Sequence, residues 1–145
     1  MGEPLLSSEL TRAAVARYVA ALNAHDADAI AACVSPDFVN EHTSTLGRDV
    51  TGRDRYRTNL TGFLADFADL HYAVEDLIVE DGRAALAYQM SFTLVSAGRK
   101  PVRIRGVFRF RVGAHGLITH RTDYWDSGEV HRQLTEPSTP SAPSA

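Results

Sequence analysis

The stretch ALAYQMSFTLVSAGRKPVRIRGVFRFRV, residues 85–112, decides how this chain folds. Its first ten residues alternate in size: Leu86, Tyr88, Met90, Phe92 and Leu94 take one side, and Ala85, Ala87, Gln89, Ser91 and Thr93 the other. Its last eleven alternate in polarity, with Ile104, Gly106, Phe108 and Phe110 set against Arg103, Arg105, Val107, Arg109 and Arg111. A period of two is the pattern of a half-buried β-strand, and the intervening SAGRKP is turn chemistry. The two runs read as a hairpin whose bulky face meets the rest of the molecule. The four arginines fall on the opposite face. They suit a solvated or subunit-facing sheet surface better than an anion site, because nothing makes them converge on one point.

Outward from this hairpin, turns at EDGR (80–83) and VGAHG (112–116) complete a meander of four extended segments from Leu70 on. The last strand is GLITHRTDYWD (116–126), and SGEVHRQL (127–134) reads as a short helix. Upstream the period is helical. Leu10, Ala14, Tyr18, Ala21 and Leu22 share one flank of a helix capped at Ser7 or Ser8 and ending at Asn23. Asp26 caps a second helix over ADAIAACV (27–34), stopped near Ser35-Pro36 because the residue before proline disfavours the α region. DFVNEH (37–42) is a short strand, and Tyr56, Leu60, Phe63, Leu64 and Phe67 line one face of a third helix over 51–67.

With 145 residues, 44% hydrophobic and 23% charged, the composition suits one compact domain, expected over 1–135. The remaining EPSTPSAPSA (136–145) has little to bury and is expected to be disordered. A net charge of −3 and a pI of about 6.0 give no basic balance for gripping nucleic acid. No apolar run approaches membrane-spanning length and the first residues lack the pattern of a signal peptide, so a cytoplasmic protein is expected, with no membrane partner. The single Cys33 excludes an internal disulfide and reads as a small core residue. No histidine pair has a metal-ligand spacing, and no glycine-rich phosphate loop occurs, so neither metal nor cofactor is expected.

The order of helix, helix, short strand, helix and four strands resembles the fold shared by nuclear transport factor two, ketosteroid isomerase and the SnoaL-like polyketide cyclases. The local likeness is carried by RYVAALNA (17–24), DFVNEH, ALAYQMSF (85–92) and GVFRFRVGAHGLI (106–118). The resemblance implies an α+β domain: a cone-shaped, strongly curved antiparallel sheet with three N-terminal helices on its concave face. In ketosteroid isomerase a helical tyrosine and a protonated aspartic acid donate hydrogen bonds to a developing enolate while a second aspartate moves the proton. The match places these at Tyr18, Gly106 and His42, so the protonated acid is missing here. HRTDYWDSGEVHRQL (120–134) resembles instead the ending of limonene epoxide hydrolase and the SnoaL-like cyclases, whose acid–base aspartate falls on Asp123. That hydrolase also uses an arginine and a second aspartate where this chain offers Tyr88 and Met90.

The resemblance thus implies Tyr18, His42 and Asp123 as catalytic residues, with Asn40, Tyr88, Met90, Phe108, His120 and Trp125 against the substrate. The last strand has two readings. The isomerase match turns His120, Thr122 and Tyr124 inward; the hydrolase match turns Arg121, Asp123 and Trp125 inward, and one bulge exchanges them. The expected function is cofactor-independent acid–base chemistry on a small apolar molecule of polyketide, terpenoid or steroid type. A cyclase or isomerase is favoured over an epoxide hydrolase; the alternative is a non-catalytic protein that binds a small hydrophobic ligand or mediates association. The small residues on the outer face of the sheet suggest a homodimer through that face.

Overall fold

The computed structural model describes residues 3–44 and 47–135, the first four of them by backbone alone. Helix α1 (Glu3–Asn23) is followed by α2 (Ala27–Ala32), β1 (Val34–His42), β2 (Val50–Thr51) and α3 (Arg53–Asp66). Then come β3 (Phe67–Glu80), β4 (Arg83–Leu94), a 3-10 turn (Val95–Ala97), β5 (Lys100–Val112), β6 (Ile118–Trp125) and α4 (Ser127–Thr135). The segment 136–145, expected to be disordered, lies outside the described residues.

The expected α+β architecture is the observed one, with differences at the ends of elements. Helix α1 begins ahead of Ser7 because Pro4 sits in its first turn, where a missing N–H costs nothing. Asp26 caps α2 as read, its carboxylate accepting from the Ala29 amide at 3.0 Å. Strand β1 starts at Val34 and runs through Pro36, so the chain turns extended earlier than expected. Its pairing with β6 joins Val34 to Ile118 and resumes only at Val39 with His120, so the proline lies in the irregular stretch between them.

The six strands lie in the order β2-β1-β6-β5-β4-β3. Strands β3 to β6 form the antiparallel meander, whereas β1 joins β6 in parallel, which makes the sheet mixed. Register shifts after Ala68 and Val74 interrupt β3, and Asp69 between them has a φ of 56°. Such bulges bend a strand and increase its twist, so the sheet curves around the helices. Its inner face buries Leu86, Tyr88, Met90, Phe92, Ile104, Phe108 and Phe110 against Val15, Tyr18 and Leu22 of α1, Ile30 of α2, and Tyr56 and Leu60 of α3. Arg103, Arg105, Arg109 and Arg111 are exposed on the outer face, as the alternation required. Cys33 is free and buried.

Two side-chain amides close open sheet edges. Among the described residues strand β3 has no neighbour beyond it, and Asn23 at the end of α1 takes that place: its Nδ2 donates to the Tyr72 carbonyl at 3.0 Å and its Oδ1 accepts from the Tyr72 amide at 2.8 Å. Strand β5 outruns β6, and Gln133 of α4 does the same for Arg103, accepting at 2.9 Å and donating at 2.7 Å. Each amide imitates one residue of a missing strand. Asn23→Ala should therefore lower stability by about 1–3 kcal/mol, two backbone groups losing their partners together. Thermal melting and hydrogen exchange at the Tyr72 amide check this; an unchanged melting temperature would contradict it.

Candidate functional site

Strand β6 alternates, so Arg121, Asp123 and Trp125 share its inner side, and β1 brings Asn40 opposite Arg121 and His42 opposite Asp123. Two polar layers result. In the deep layer the buried Arg121 donates from Nε to Asn40 Oδ1 at 3.0 Å and from Nη1 to Tyr18 Oη at 2.9 Å. Tyr18 Oη lies 2.5 Å from Tyr56 Oη, and because Arg121 already donates to Tyr18, the Tyr18 proton is free to be given to Tyr56. The guanidinium carbon stands 4.6 Å over the Phe108 ring.

The upper layer surrounds Asp123. Tyr88 donates to its Oδ1 at 2.6 Å, and Trp125 Nε1 donates to His42 Nδ1 at 3.2 Å. Gly106 makes the first of these bonds possible. A Cβ there would stand 2.4 Å from Tyr88 Oη and 2.8 Å from the Tyr124 carbonyl, so the phenol ring occupies the space that a side chain at 106 would need. The acid that the isomerase pattern puts at this position is replaced by the Tyr88 hydroxyl arriving from the neighbouring strand. Gly47 lies as close to His42: a Cβ at 47 would fall 2.2 Å from His42 Cβ.

Burial sets the electrostatics. It raises the Asp123 carboxyl above the ordinary carboxylate value, opposed by the Arg121 charge and the Tyr88 hydrogen bond. It raises the phenols of Tyr18, Tyr56, Tyr72 and Tyr88, which keep their protons at neutral pH. His42 moves the other way, from 6.5 down to about 4, through burial first and the Arg121 charge second. Its Nδ1 stands 3.7 Å from Asp123 Oδ2, an ion-pair distance, yet the pair is not ionic at neutral pH. The ring is neutral, and the same nitrogen accepts from Trp125, which puts the ring proton on Nε2.

The structure brings Tyr18, Asn40, His42, Tyr88, Phe108, Asp123 and Trp125 into one cluster, with Tyr18 at its deep end and His42 at its half-buried end. Met90 is buried two residues along the inner face from Tyr88. His120, expected against the substrate, is a correction: it faces outward and bonds Glu41 at 2.5 Å and Thr122 at 3.2 Å, because Arg121 and Asp123 hold the inward parity. Two cavities, of about 490 and 220 Å³, lie on the outer face of the sheet. The first is lined in part by Ser91, Thr93 and Arg103, the second by Ala85, Arg109, Arg111 and His120, and neither reaches the cluster. Among the described residues no three potential ligands gather as a metal site, and no helix is long and apolar enough to cross a membrane.

Sequence reasoning gave Tyr56 only as a core position of α3 and Arg121 only as an inward residue in one of the two readings of the last strand. A signal for Arg121 existed, since residues two apart on a strand share a face and an inward Asp123 carries Arg121 inward with it.

The histidine makes stability pH-dependent. The unfolded ring takes a proton near 6.5 and the folded ring near 4, so the unfolded state binds more protons between these values and stability falls as pH drops from 6.5 to about 4. The loss is on the order of 3 kcal/mol. In melting experiments across this window, His42→Gln should lose less stability on acidification than the wild type; equal slopes would contradict the account.

The family model described as the SnoaL-like domain matches residues 15–121. No curated protein matches the chain. Among solved structures, an LEH-like epoxide hydrolase of M. tuberculosis is similar with 21% identity and a TM-score of 0.72, over 87% of this chain and 89% of its own. A protein of ketosteroid isomerase-like fold from Catenulispora acidiphila DSM 44928, solved with trimethylamine, gives 18% and 0.76, over 88% and 97%. A candidate polyketide cyclase from Xanthomonas campestris pv. campestris gives 21% and 0.74, over 89% and 99%. These likenesses concern the fold, while the match of the family model over most of the chain shows that it belongs to the SnoaL-like domain family.

Proposed function

We propose that the chain is a cytoplasmic, cofactor-independent acid–base enzyme, a cyclase or isomerase, acting on a small and mostly apolar molecule of polyketide, terpenoid or steroid type. The observation that carries this reading is the state of Asp123. Its carboxyl is buried and raised, one oxygen is tied to Tyr88, and Oδ2 makes none of the described hydrogen bonds. A carboxylate in that condition is poised to take a proton from a carbon beside a carbonyl and to give it back elsewhere on the same molecule. His42, neutral at the half-buried end with Nδ1 3.7 Å from Asp123 Oδ2, is the group through which Asp123 would exchange its proton with solvent once Trp125 releases that nitrogen. Tyr18 acts on the oxygen side of the reaction through its hydrogen bond with Arg121, and Asn40 fixes the same guanidinium. Phe108, Met90, Tyr88 and Trp125 supply the apolar wall that such a substrate needs. Epoxide hydrolysis is less favoured, because Tyr88 and Met90 stand where that pattern has an arginine and a second aspartate.

A non-catalytic binding protein of the same fold is the second reading. It is favoured by one observation, that Gly106 stands where the isomerase pattern has its protonated acid and leaves no room there for a side chain. The expected homodimer through the outer face belongs to the same proposal. Ile78, Val107 and Tyr124 are exposed there, Ile78 paired with the small Ala85. That is the kind of surface a second copy would cover.

The two readings separate on proton exchange. With acetylacetone as probe in deuterated water, the wild type should accelerate exchange of the acidic carbon-bound hydrogens. Asp123→Asn should slow that exchange by about 10²–10⁴-fold. Tyr18→Phe should lower kcat more than it changes KM, as removal of a transition-state interaction does. No acceleration by the wild type, with the probe bound, would favour the binding protein.

A further inference from the structure

The smaller cavity on the outer face of the sheet, about 220 Å³, lies beside the turn that joins β3 to β4. It is below the range of about 300–1,000 Å³ that holds a drug-sized ligand, and ample for one oxyanion head. Alternation within β5 gives Arg109 and Arg111 a common face but no common target; the register of the neighbouring strands supplies one. Arg83 of β4 stands directly opposite Arg111, with His120 of β6 opposite it on the other side, and Ala85 stands opposite Arg109. All of them line the cavity. Ala85 ends at Cβ, so it forms a low floor between Ile78 of β3 and Arg109 of β5. Glu80 at the edge pairs with Arg83 at 2.5 Å, and Glu41, which does not line the cavity, is taken up by His120 and Thr122. Arg109 and Arg111 are in none of the described ion pairs. Arg109 rests over the Tyr124 ring at 5.8 Å, a contact that fixes the side chain without an oxygen partner. Arg83 facing Arg111 puts like charges at the closest cross-strand separation, roughly 5 Å between Cβ atoms, which destabilises a sheet unless something negative joins them. Three guanidinium charges against the single Glu80 carboxylate leave a local excess of two on a chain whose net charge is −3.

We infer that Arg83, Arg109 and Arg111 form a binding site for a phosphate-type dianion, either free phosphate or the head of a phosphate monoester whose apolar part lies on Ala85 and Ile78. Guanidinium forks suit phosphate oxygens, since each presents paired N–H donors to two oxygens at once. A carboxylate, with one charge and two oxygens, would leave one of the three arginines unmatched. The dianion turns the repulsion between Arg83 and Arg111 into a bridge between β4 and β5. Ile78, 63% exposed, is the one large apolar side chain at the rim, and an ester group would cover it. The strands separate this cavity from the inward cluster of Tyr18, His42 and Asp123, so it is a second site and not a part of the first.

The test is calorimetric titration of the full chain with inorganic phosphate and with phenyl phosphate, in low salt at about pH 7.5, where both are mostly dianions. The wild type should bind each saturably, with a Kd near or below about 1 mM. Arg109→Gln and Arg111→Gln should each weaken binding by about 10- to 100-fold. Arg105→Gln, on the same face but tied to Glu75 and outside the cavity, should leave it unchanged. Phenyl phosphate binding several-fold tighter than phosphate, with the difference lost in Ile78→Ser, supports the site and assigns it to an ester; equal affinities support it and assign it to the free ion. Because the homodimer proposed above uses the same face, light scattering records the assembly in each titration, and absence of saturable wild-type binding overturns the inference in either assembly. Equal losses in Arg105→Gln and Arg111→Gln also overturn it, since they would mark diffuse attraction to a charged face.

Discussion

A guanidinium held inside an apolar core is the constraint around which this molecule is arranged. Removing a charge from water costs several kcal/mol even after relaxation, and it must be recovered by hydrogen bonds and countercharge of good geometry. Arg121 recovers it from four elements at once: Asn40 of β1, Tyr18 of α1, the Phe108 face of β5 and the field of Asp123 on its own strand. Tyr56 extends the network to α3 through the Tyr18 hydroxyl. Helices α1 and α3 are thus fastened to the parallel pair β1 and β6 by polar bonds, where the surrounding core is aromatic and aliphatic.

The same charge organises the upper layer. It pulls the Asp123 carboxyl down against the effect of burial and pushes His42 further towards the neutral form. The proposed division of labour follows from that gradient, with the cation deep, the carboxylate in the middle and a neutral imidazole at the half-buried end. Gly106 completes the layer by giving up its side chain, so that a tyrosine on β4 can reach across β5 to an aspartate on β6. A pattern that loses one buried acid has therefore not lost its second polar group, since Tyr88 occupies the space.

Much of the fold was legible because it rests on local alternation. The period of two from Leu70 to Trp125 specifies the meander, its turns and the face that meets the helices, and the arginines of β5 are exposed as that period requires. The parallel pairing of β1 with β6 was not legible, because no pattern within either strand names its partner across some eighty residues of chain. The candidate site divides along the same line. Asn40, His42 and Tyr88 follow from strand parity once the inner face is known, but the parity of β6 had two consistent readings, and only the register against β1 and β5 decides that Arg121 faces in and His120 out. Tyr56 looked like any apolar position on a helix. Its hydroxyl matters only because α1 places Tyr18 2.5 Å away, a relation of tertiary packing that sequence spacing does not encode.

The central claim is that Asp123 is a buried carboxyl held above its ordinary range by desolvation and kept from rising further by Arg121. Titrating its side-chain carbon by NMR in ¹³C-labelled protein tests this directly. The account predicts a midpoint above 3.8 in the wild type and a higher one still in Arg121→Met, since the opposing charge is gone. A midpoint at or below 3.8, or one that Arg121→Met leaves unmoved in a folded protein, would contradict it.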